Sequence, residues 1–284
     1  MNVKKTELAR ALPSVRRRAS QMGRGEQIEQ RMLRGGGDMS AQRSSGKQHR
    51  QWVHQLWRMA QDELVQVLLV TLVVIAGTWG FVELAGDVLE GDTQAFDRWL
   101  LQALRSPENP EWPRGPRWLV EVGRDITAFG SSVVVALLTA AVVGYLWLQR
   151  TYGALWFVVV ATAGGGLLSH LLKALFARER PEPVPCLWVS SPSFPSGHAI
   201  LAAVVYLTLG ILLARLEPRP LLKTYFLGIM MVLTCLVGVS RVYLGVHYPT
   251  DVLAGWTVGL VWGLLCWLAA WYLQRRGAVE RHYG

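Results

Sequence analysis

The chain has 284 residues, of which 51% are apolar and only 17% are charged, and its formal net charge is +9. An ordinary soluble domain carries about 25% charged residues, so this composition argues against a soluble protein and favours a polytopic membrane protein. The three cysteines form neither a disulfide framework nor a zinc-binding pattern.

The basic excess is concentrated in residues 1–63, which hold thirteen Lys or Arg and six Asp or Glu. This segment shows little apolar periodicity and is predicted to be largely disordered and cytoplasmic. A basic tail can bind nucleic acid, but basic flanks of a first membrane helix are the more common explanation, and no nucleic-acid partner is expected. Residues 50–64 are predicted to form an amphipathic helix on the membrane surface.

Six segments are apolar and long enough to cross a bilayer. They cover residues 64–82, 131–148, 154–176, 198–216, 224–239 and 252–273. Lipid offers no partner to an exposed backbone polar group, so each segment is expected to be a helix. The predicted fold is all-α, a bundle of six transmembrane helices over residues 64–273 with its motif loops on one face. A short basic cytoplasmic tail, residues 274–284, follows the bundle.

Basic residues are distributed unevenly between the two ends of the predicted helices. The termini and the connections around residues 150 and 215–223 hold twenty of the 29 Lys and Arg, which by the positive-inside rule places both termini in the cytoplasm. The protein is therefore expected in a plasma membrane, which in a bacterium is the inner membrane. The connection 83–130 is expected on the outer, periplasmic face, where nine acidic residues outnumber five Arg. Four Pro break the helical periodicity of residues 96–130, and this pattern favours a surface helix over one that covers a site.

Three polar segments are expected to meet at the outer face. They read KALFARERP at 173–181, PSGH at 195–198 and SRVYLGVHYPTD at 240–251. Three cations lie at or near predicted helix ends, Lys173, Arg180 and Arg241. A single Arg there would be explained by a long side chain that extends to place its charge at the membrane interface. Three converging cations without a matching carboxylate cluster predict an anionic ligand, and phosphate suits arginine especially well.

The PSGH segment has the composition of an anion-binding helix start. Ser196 is a favoured N-cap type, Gly197 lets a ligand approach the backbone, and the free N–H groups of the first turn point toward that ligand. His198 is expected to lie beside the anion and to donate a proton. The alternative for His198 is a histidine that is simply hydrogen-bonded at the interface.

His247 and Asp251 are four residues apart, and Pro249 between them suits the first turn of a helix. At this spacing Asp251 is expected to accept the Nδ1 proton of His247 and to leave Nε2 as a nucleophile. Metal binding is the competing use of His and Asp, but a di-metal phosphatase site needs several more carboxylates than this face supplies. No metal is therefore expected.

These residues resemble the type-2 phosphatidic acid phosphatase superfamily of lipid phosphate phosphatases. The family pattern is Lys, six residues and Arg-Pro, then Pro-Ser-Gly-His, then Ser-Arg, five residues, His, three residues and Asp. The chain keeps every spacing between Lys173 and Asp251, at eleven specified positions. Such a match is far more specific than one short motif, and the six-helix layout extends the resemblance over residues 64–273.

The resemblance implies a role for each residue of the pattern. In such enzymes the histidine matching His247 attacks phosphorus and forms a phosphohistidine, oriented by the residue matching Asp251. The histidine matching His198 protonates the leaving oxygen. The other residues of the pattern would hold the phosphoryl oxygens, and they are Lys173, Arg180, Ser196, Gly197 and Arg241. The implied mechanism needs no metal or other cofactor, unlike the kinases, where Mg²⁺ shares the phosphate charge.

The predicted function is hydrolysis of a lipid phosphate or diphosphate of the phosphatidic acid, phosphatidylglycerol phosphate or undecaprenyl diphosphate type. The expected partners are this substrate and the bilayer. Soluble acid phosphatases and vanadate-dependent haloperoxidases share the family pattern, but six long apolar spans argue against both. Two alternatives stay open, a lipid phosphotransferase that uses the same intermediate and a membrane protein that binds phospholipid without catalysis. His170, on the third span, is expected to form a hydrogen bond within the bundle.

Overall fold

The computed structural model describes residues 62–181 and 191–276, which are almost entirely helical. The helices are α1 Asp62–Glu90, α2 Gln94–Ala103, α3 Arg117–Ala128, α4 Ser132–Leu148, α5 Tyr152–Phe176, α6 Gly197–Leu216, α7 Pro220–Tyr243 and α8 Pro249–Arg275. By its internal contacts the chain divides after Gln66, and the features below belong to the unit Val67–Gly284. The predicted disordered segment, nearly all of its amphipathic helix and most of the basic tail lie outside the described residues.

Five helices, α1 and α5 to α8, are long and apolar enough to cross a membrane. The remaining predicted span, second in chain order, is α4. It has only 17 residues and is long enough to cross a membrane only together with α3, from which it is bent by 44°. The bend coincides with a new helix start, because the Ser131 hydroxyl accepts the N–H of Val134 at 3.3 Å as an N-cap. The predicted all-α membrane bundle is confirmed, and its second span is the one that continues into a bent helix.

The last two spans extend further than their apolar segments predict. Helix α7 continues to Tyr243 and α8 already begins at Pro249, which occupies its first turn as predicted. An apolar segment ends where charged residues begin, but the backbone hydrogen bonds of a helix can continue through charged residues. Arg241 and Asp251, predicted to lie between the spans, therefore lie on helices, and the helix axes fix their directions.

Helix α6 forms the centre of the bundle and packs against α5, α7 and α8. Half of its most apolar 18 residues are buried, the largest share among the described spans. Its contact with α8 is close because α8 presents Gly259 to it. A Cβ atom built on Gly259 would lie 2.6 Å from Ala203 Cβ and 2.8 Å from the carbonyl oxygen of Ile200. Small residues of this kind let membrane helices approach with their backbones.

The outside of the bundle is apolar. Large side chains are more than 60% exposed on several helices, among them Leu68, Trp79, Leu137 and Leu175. A soluble monomer rarely exposes apolar area on this scale, so these side chains form the surface that contacts lipid.

The surface-helix interpretation of residues 96–130 describes only the exposed faces of the two helices in this segment. Helices α2 and α3 are amphipathic, and each sends one face into the protein. Asp97 is completely buried, and Leu101 packs in a cluster with Ala199 and Val252. The inward face of α2 therefore lies against the starts of α6 and α8, where the site residues are.

The contact between α6 and α8 predicts a difference between two glycines. Gly259→Ala is expected to destabilise the protein by about 1–3 kcal/mol, because overpacking a close contact forces the helices apart. Gly228→Ala in α7 is the matched control, since a Cβ there has no neighbour within 4 Å. Thermal unfolding of the purified variants measures the effect. Equal melting temperatures for the two would contradict the packing described here.

Candidate active site

Polar residues from four parts of the chain meet at one end of the bundle. Two backbone hydrogen bonds join them: the N–H of Ser193 donates to the carbonyl of Arg178 at 2.8 Å, and the N–H of Ser196 donates to the carbonyl of Asp251 at 2.9 Å. The second bond ties the PSGH segment at the start of α6 to the start of α8. The three motif segments, far apart in sequence, thus share one face of the bundle as predicted.

His247 lies between α7 and α8 and is 1% exposed, with its ring held by Asp251. The ring Nδ1 is 3.3 Å from Oδ2 of Asp251. The same oxygen accepts the backbone N–H of Tyr248 at 2.9 Å and the hydroxyl of Ser193. A carboxylate oxygen in this setting accepts and does not donate, so Nδ1 carries the proton.

The other ring nitrogen of His247 faces a cation. Its Nε2 lies 3.2 Å from Nη1 of Arg180, and a guanidinium can only donate. Nε2 must therefore present its lone pair toward Arg180, which independently requires the proton on Nδ1. Both neighbours of the ring select the same tautomer, with a free electron pair on the atom that the sequence predicts as the nucleophile.

The environment keeps this imidazole neutral. The pKa of His247 is lowered to about 4, mainly by burial and also by the charges of Arg241 and Arg180, while the hydrogen bond and charge of Asp251 oppose the shift. Because only the neutral ring has a lone pair on Nε2, the shift keeps that electron pair available far below pH 7.

Lys173 and Arg180 lie beside each other and share acceptors. Nζ of Lys173 donates to the carbonyl of Pro192 at 2.7 Å, and Nη2 of Arg180 donates to the same oxygen at 3.3 Å. Arg180 also donates from Nε to the carbonyl of Ser191 at 2.6 Å and from Nη1 to that of Val246 at 2.6 Å. These bonds fix Arg180 next to the ring of His247 and Lys173 beside Arg180.

The start of α6 leaves polar groups without protein partners. Ser196 is the N-cap residue as predicted, but its hydroxyl makes no capping bond, and its buried Oγ has no partner among the described residues. The first turn-forming bond of the helix runs from the N–H of Ile200 to the carbonyl of Ser196. The N–H groups of residues 197–199 have no acceptor in the described part of the chain, which makes this helix start suitable for an anion.

Gly197 is placed where any side chain would crowd the neighbouring helix. A Cβ atom there would lie 3.0 Å from Oγ of Ser169 and 3.5 Å from Cε of Lys173. His198, next along the helix, interacts electrostatically with Arg241, His247 and Lys173. The two histidines and the basic side chains therefore belong to one cluster.

Arg241 is 4% exposed and comes from the last turn of α7. Its Nη1 donates to Oγ1 of Thr127 at 3.2 Å, and its Nε is buried with no partner within the described residues. A buried unpaired donor is costly, as is the unpaired hydroxyl of Ser196. An oxyanion within reach of both groups would satisfy them.

Several polar partners were not predicted from the sequence. They are Asp97, Thr127, Arg178, Ser191, Ser193 and Thr250. Arg178 and Ser193 stand inside or directly beside the motif segments, so their positions near the site were available from the sequence although their roles were not. Asp97 and Thr127 lie on α2 and α3, where no motif marks them.

Two other expectations concern residues around the cluster. His170 is exposed on α5, so the predicted hydrogen bond within the bundle is wrong: the helix turns this side chain outward, while Ser169 and Lys173 face inward. Among the described residues, no three His, Cys, Asp or Glu side chains are grouped to hold a metal ion.

Comparison with known proteins gives the family. The family model described as PAP2 superfamily matches residues 154–275. Phosphatidylglycerophosphatase B of Bacillus subtilis (strain 168) is 40% identical over 147 residues, which cover 51% of this chain and 71% of that protein. Decaprenylphosphoryl-5-phosphoribose phosphatase of Mycobacterium tuberculosis is 30% identical over 155 residues, 52% of this chain and 78% of that protein.

A solved structure is similar over most of the described fold. The crystal structure of a transmembrane PAP2-type phosphatidylglycerolphosphate phosphatase from Bacillus subtilis superposes with a TM-score of 0.61 at 30% sequence identity. The superposition covers 74% of this chain and 98% of that one. The similarity therefore includes helices that precede the matched family segment.

The chain belongs to the PAP2 superfamily. The resemblance inferred from the motif spacing is confirmed, and so is the predicted class, an integral membrane phosphatase of lipid phosphates. The family segment 154–275 contains all eight predicted site residues, whereas α2 and α3 lie outside it.

The state of His247 can be measured directly. Nitrogen-15 NMR of histidine-labelled protein, assigned with a His247→Gln variant, is expected to find a neutral ring with the proton on Nδ1 and a protonation midpoint near 4 instead of the ordinary 6.5. Asp251→Asn should move the midpoint lower, because that carboxylate raises the pKa of His247. A proton on Nε2, or a midpoint at the ordinary value, would contradict the geometry.

Proposed function

We propose that this protein hydrolyses a lipid phosphate or diphosphate through a phosphohistidine formed on His247. The observation that carries the proposal is the orientation of this ring, with Nδ1 bonded to Asp251 and the lone pair of Nε2 directed at Arg180. An imidazole held by a carboxylate and facing cations is arranged for attack on a centre surrounded by anionic oxygens.

The phosphate group would occupy the space between the cations and the start of α6. Lys173, Arg180 and Arg241 supply positive charge, and the hydroxyl of Ser196 and the first N–H groups of α6, beginning at Gly197, supply hydrogen bonds. Fixed donors of this kind stabilise charge that develops on phosphoryl oxygens in the transition state. Arg180 donates to Nε2 of the nucleophile, and we expect the phosphate oxygens to take over this donor.

The first chemical step forms a bond from Nε2 of His247 to phosphorus and breaks the bond from phosphorus to the leaving oxygen. His198 binds a proton when the negatively charged phosphate enters beside it, and it donates this proton to the leaving oxygen, so the product leaves as an alcohol or, from a diphosphate, as a lipid monophosphate. The phosphohistidine carries a positive ring, which Asp251 stabilises through Nδ1.

The second step returns the enzyme to its starting state. Water attacks phosphorus, the bond to Nε2 breaks, and His198, now neutral, accepts a proton from the water. Inorganic phosphate is released and both histidines regain their original protonation. Every proton and bond in the cycle is supplied by the substrate, water and two side chains.

The substrate is proposed to be a membrane lipid because the site lies at the end of a bundle with an apolar outer surface. Phosphatidylglycerol phosphate is the first candidate, since the names of a similar Bacillus subtilis protein and of a similar solved structure from the same species state this phosphatase activity. Phosphatidic acid and undecaprenyl diphosphate remain in the same proposed class, because the residues proposed to bind substrate would contact only its phosphate.

The proposed location is a plasma membrane with both termini in the cytoplasm and the site on the outer face. The distribution of basic residues supports this orientation. Reporter fusions at the two termini would test it, and a terminus outside the cell would contradict it.

The mechanism predicts a large loss of activity on removal of either member of the His247–Asp251 pair. His247→Ala should abolish phosphate release, and Asp251→Asn should lower kcat on the order of 10⁴-fold, as loss of the orienting carboxylate does in catalytic triads. His170→Ala is the matched control, because this histidine is exposed on α5, and it should keep full activity. Phosphate release from the three candidate lipids by purified protein is the measurement.

The same assay separates the alternatives. Activity should persist with a chelator present, and a requirement for added metal would contradict the mechanism. Transfer of labelled phosphate to another lipid instead of to water would favour the phosphotransferase. Unchanged activity in His247→Ala would exclude the proposed nucleophile.

A further inference from the structure

We propose that Asp97 and Arg178 are positioning residues that hold Asp251 in the orientation needed to align His247. This inference rests on the proposed function. It extends the site beyond the family segment to α2, whose Asp97 is 153 positions away from its partner Thr250 in sequence.

Asp97 is a buried carboxylate with all of its contacts directed at the site. It is 0% exposed, and its Oδ1 accepts the backbone N–H of Thr250 at 3.1 Å. Its Oδ2 accepts the hydroxyl of Thr250 at 2.6 Å and Nη2 of Arg178 at 2.8 Å. Burying a charge is expensive unless it is paired and fully hydrogen-bonded, so this network tolerates little displacement of α2.

Arg178 bridges the two buried carboxylates. Its Nη1 donates to Oδ1 of Asp251 at 2.7 Å while its Nη2 donates to Asp97. The guanidinium also lies over the ring of Tyr248, 4.3 Å from the ring centre. Burial opposes the charge of Arg178, but the charges and hydrogen bonds of Asp251 and Asp97 outweigh it and raise its pKa. The cation is therefore permanently engaged on two sides.

This arrangement divides the two oxygens of Asp251 between two tasks. Oδ1 is held by Arg178, and Oδ2 faces Nδ1 of His247. Rotation of the carboxylate would break the 2.7 Å contact between Oδ1 and Arg178. The contact at Oδ1 therefore also fixes the direction of Oδ2 toward His247. Arg178 uses both terminal nitrogens on carboxylates, whereas Arg180, two residues later, faces Nε2 of the same imidazole. The two arginines thus act on opposite sides of the His247–Asp251 pair.

The charges also suit a ring that becomes positive. On the Nδ1 side of the ring, Asp97 and Asp251 carry two negative charges and Arg178 one positive charge, which leaves one net negative charge on that side of a neutral His247. Formation of a phosphohistidine places a positive charge on the ring, which this negative side stabilises, while the cations on the Nε2 side face the phosphoryl oxygens. Loss of Asp97 would leave Arg178 to draw on Asp251 alone and would weaken both the alignment and the compensation.

The test compares Asp97→Asn with wild type on two different quantities. A positioning role predicts that kcat falls roughly tenfold to a hundredfold, the cost of losing a partner that orients a reactive group. KM and the inhibition constant of inorganic phosphate should stay within about twofold, because the phosphate-binding cations are untouched. Asp92→Asn, at an exposed aspartate just before α2, is the matched control and should match wild type.

A double-mutant cycle with Asp251→Asn identifies the route of the effect. If Asp97 acts through Asp251, Asp97→Asn should lower kcat in the wild-type background and have little effect once Asp251 is already Asn. Arg178→Lys is the second variant and carries the test if Asp97→Asn does not fold. It keeps the charge but cannot bridge two carboxylates with a planar fork, so kcat should fall with KM again unchanged.

The outcomes separate this proposal from the proposed function. Full kcat in folded Asp97→Asn, or in Arg178→Lys, would overturn the positioning role while His247→Ala stayed inactive. Equal losses of kcat and phosphate binding, or a loss that persists undiminished in the Asp251→Asn background, would also overturn it. Unchanged activity in the His247→Ala variant would instead overturn the proposed function itself.

Discussion

The buried carboxylate of Asp251 is the constraint on which the site depends. It is 0% exposed, and it accepts donors from Arg178, Ser193, Tyr248 and His247. A charge in this position is tolerated only when its oxygens are satisfied. The requirement brings together the chain that leaves α5, the chain that enters α6 and the chain between α7 and α8. The same contacts that make the carboxylate tolerable also direct one ring nitrogen of the histidine toward the cations.

Membrane packing and site geometry are coupled through the starts of α6 and α8. A Cβ on Gly255 would lie 2.7 Å from the carbonyl oxygen of Ser196, so the second turn of α8 approaches the start of α6 closely only because a glycine stands there. That approach allows the N–H of Ser196 to bond the carbonyl of Asp251. It leaves the hydroxyl of Ser196 and the first amides of α6 available to a ligand. Apolar helix packing and phosphate recognition therefore depend on the same few small residues.

The parts of this structure that follow from local chemistry could be predicted from the sequence. Hydropathy located the spans, and the four-residue spacing predicted the His247–Asp251 bond. The partners of Asp251 from other segments could not be found in this way. The contact from Arg178 to Asp97 joins residues 81 positions apart, and it depends on how α2 folds against the bundle. The prediction that His170 forms a hydrogen bond within the bundle was wrong for a related reason. Whether a polar side chain on an apolar helix points inward depends on where the neighbouring helices pack.

A crystal structure with bound orthovanadate would test the central claim most directly, because this ion mimics the phosphoryl group in its transition state and such mimics bind best to the groups that react. We expect vanadium at bonding distance from Nε2 of His247, its oxygens contacted by Lys173, Arg180 and Arg241, and Nδ1 still bonded to Asp251. Vanadate held by another side chain, or with the imidazole turned away from it, would contradict the account.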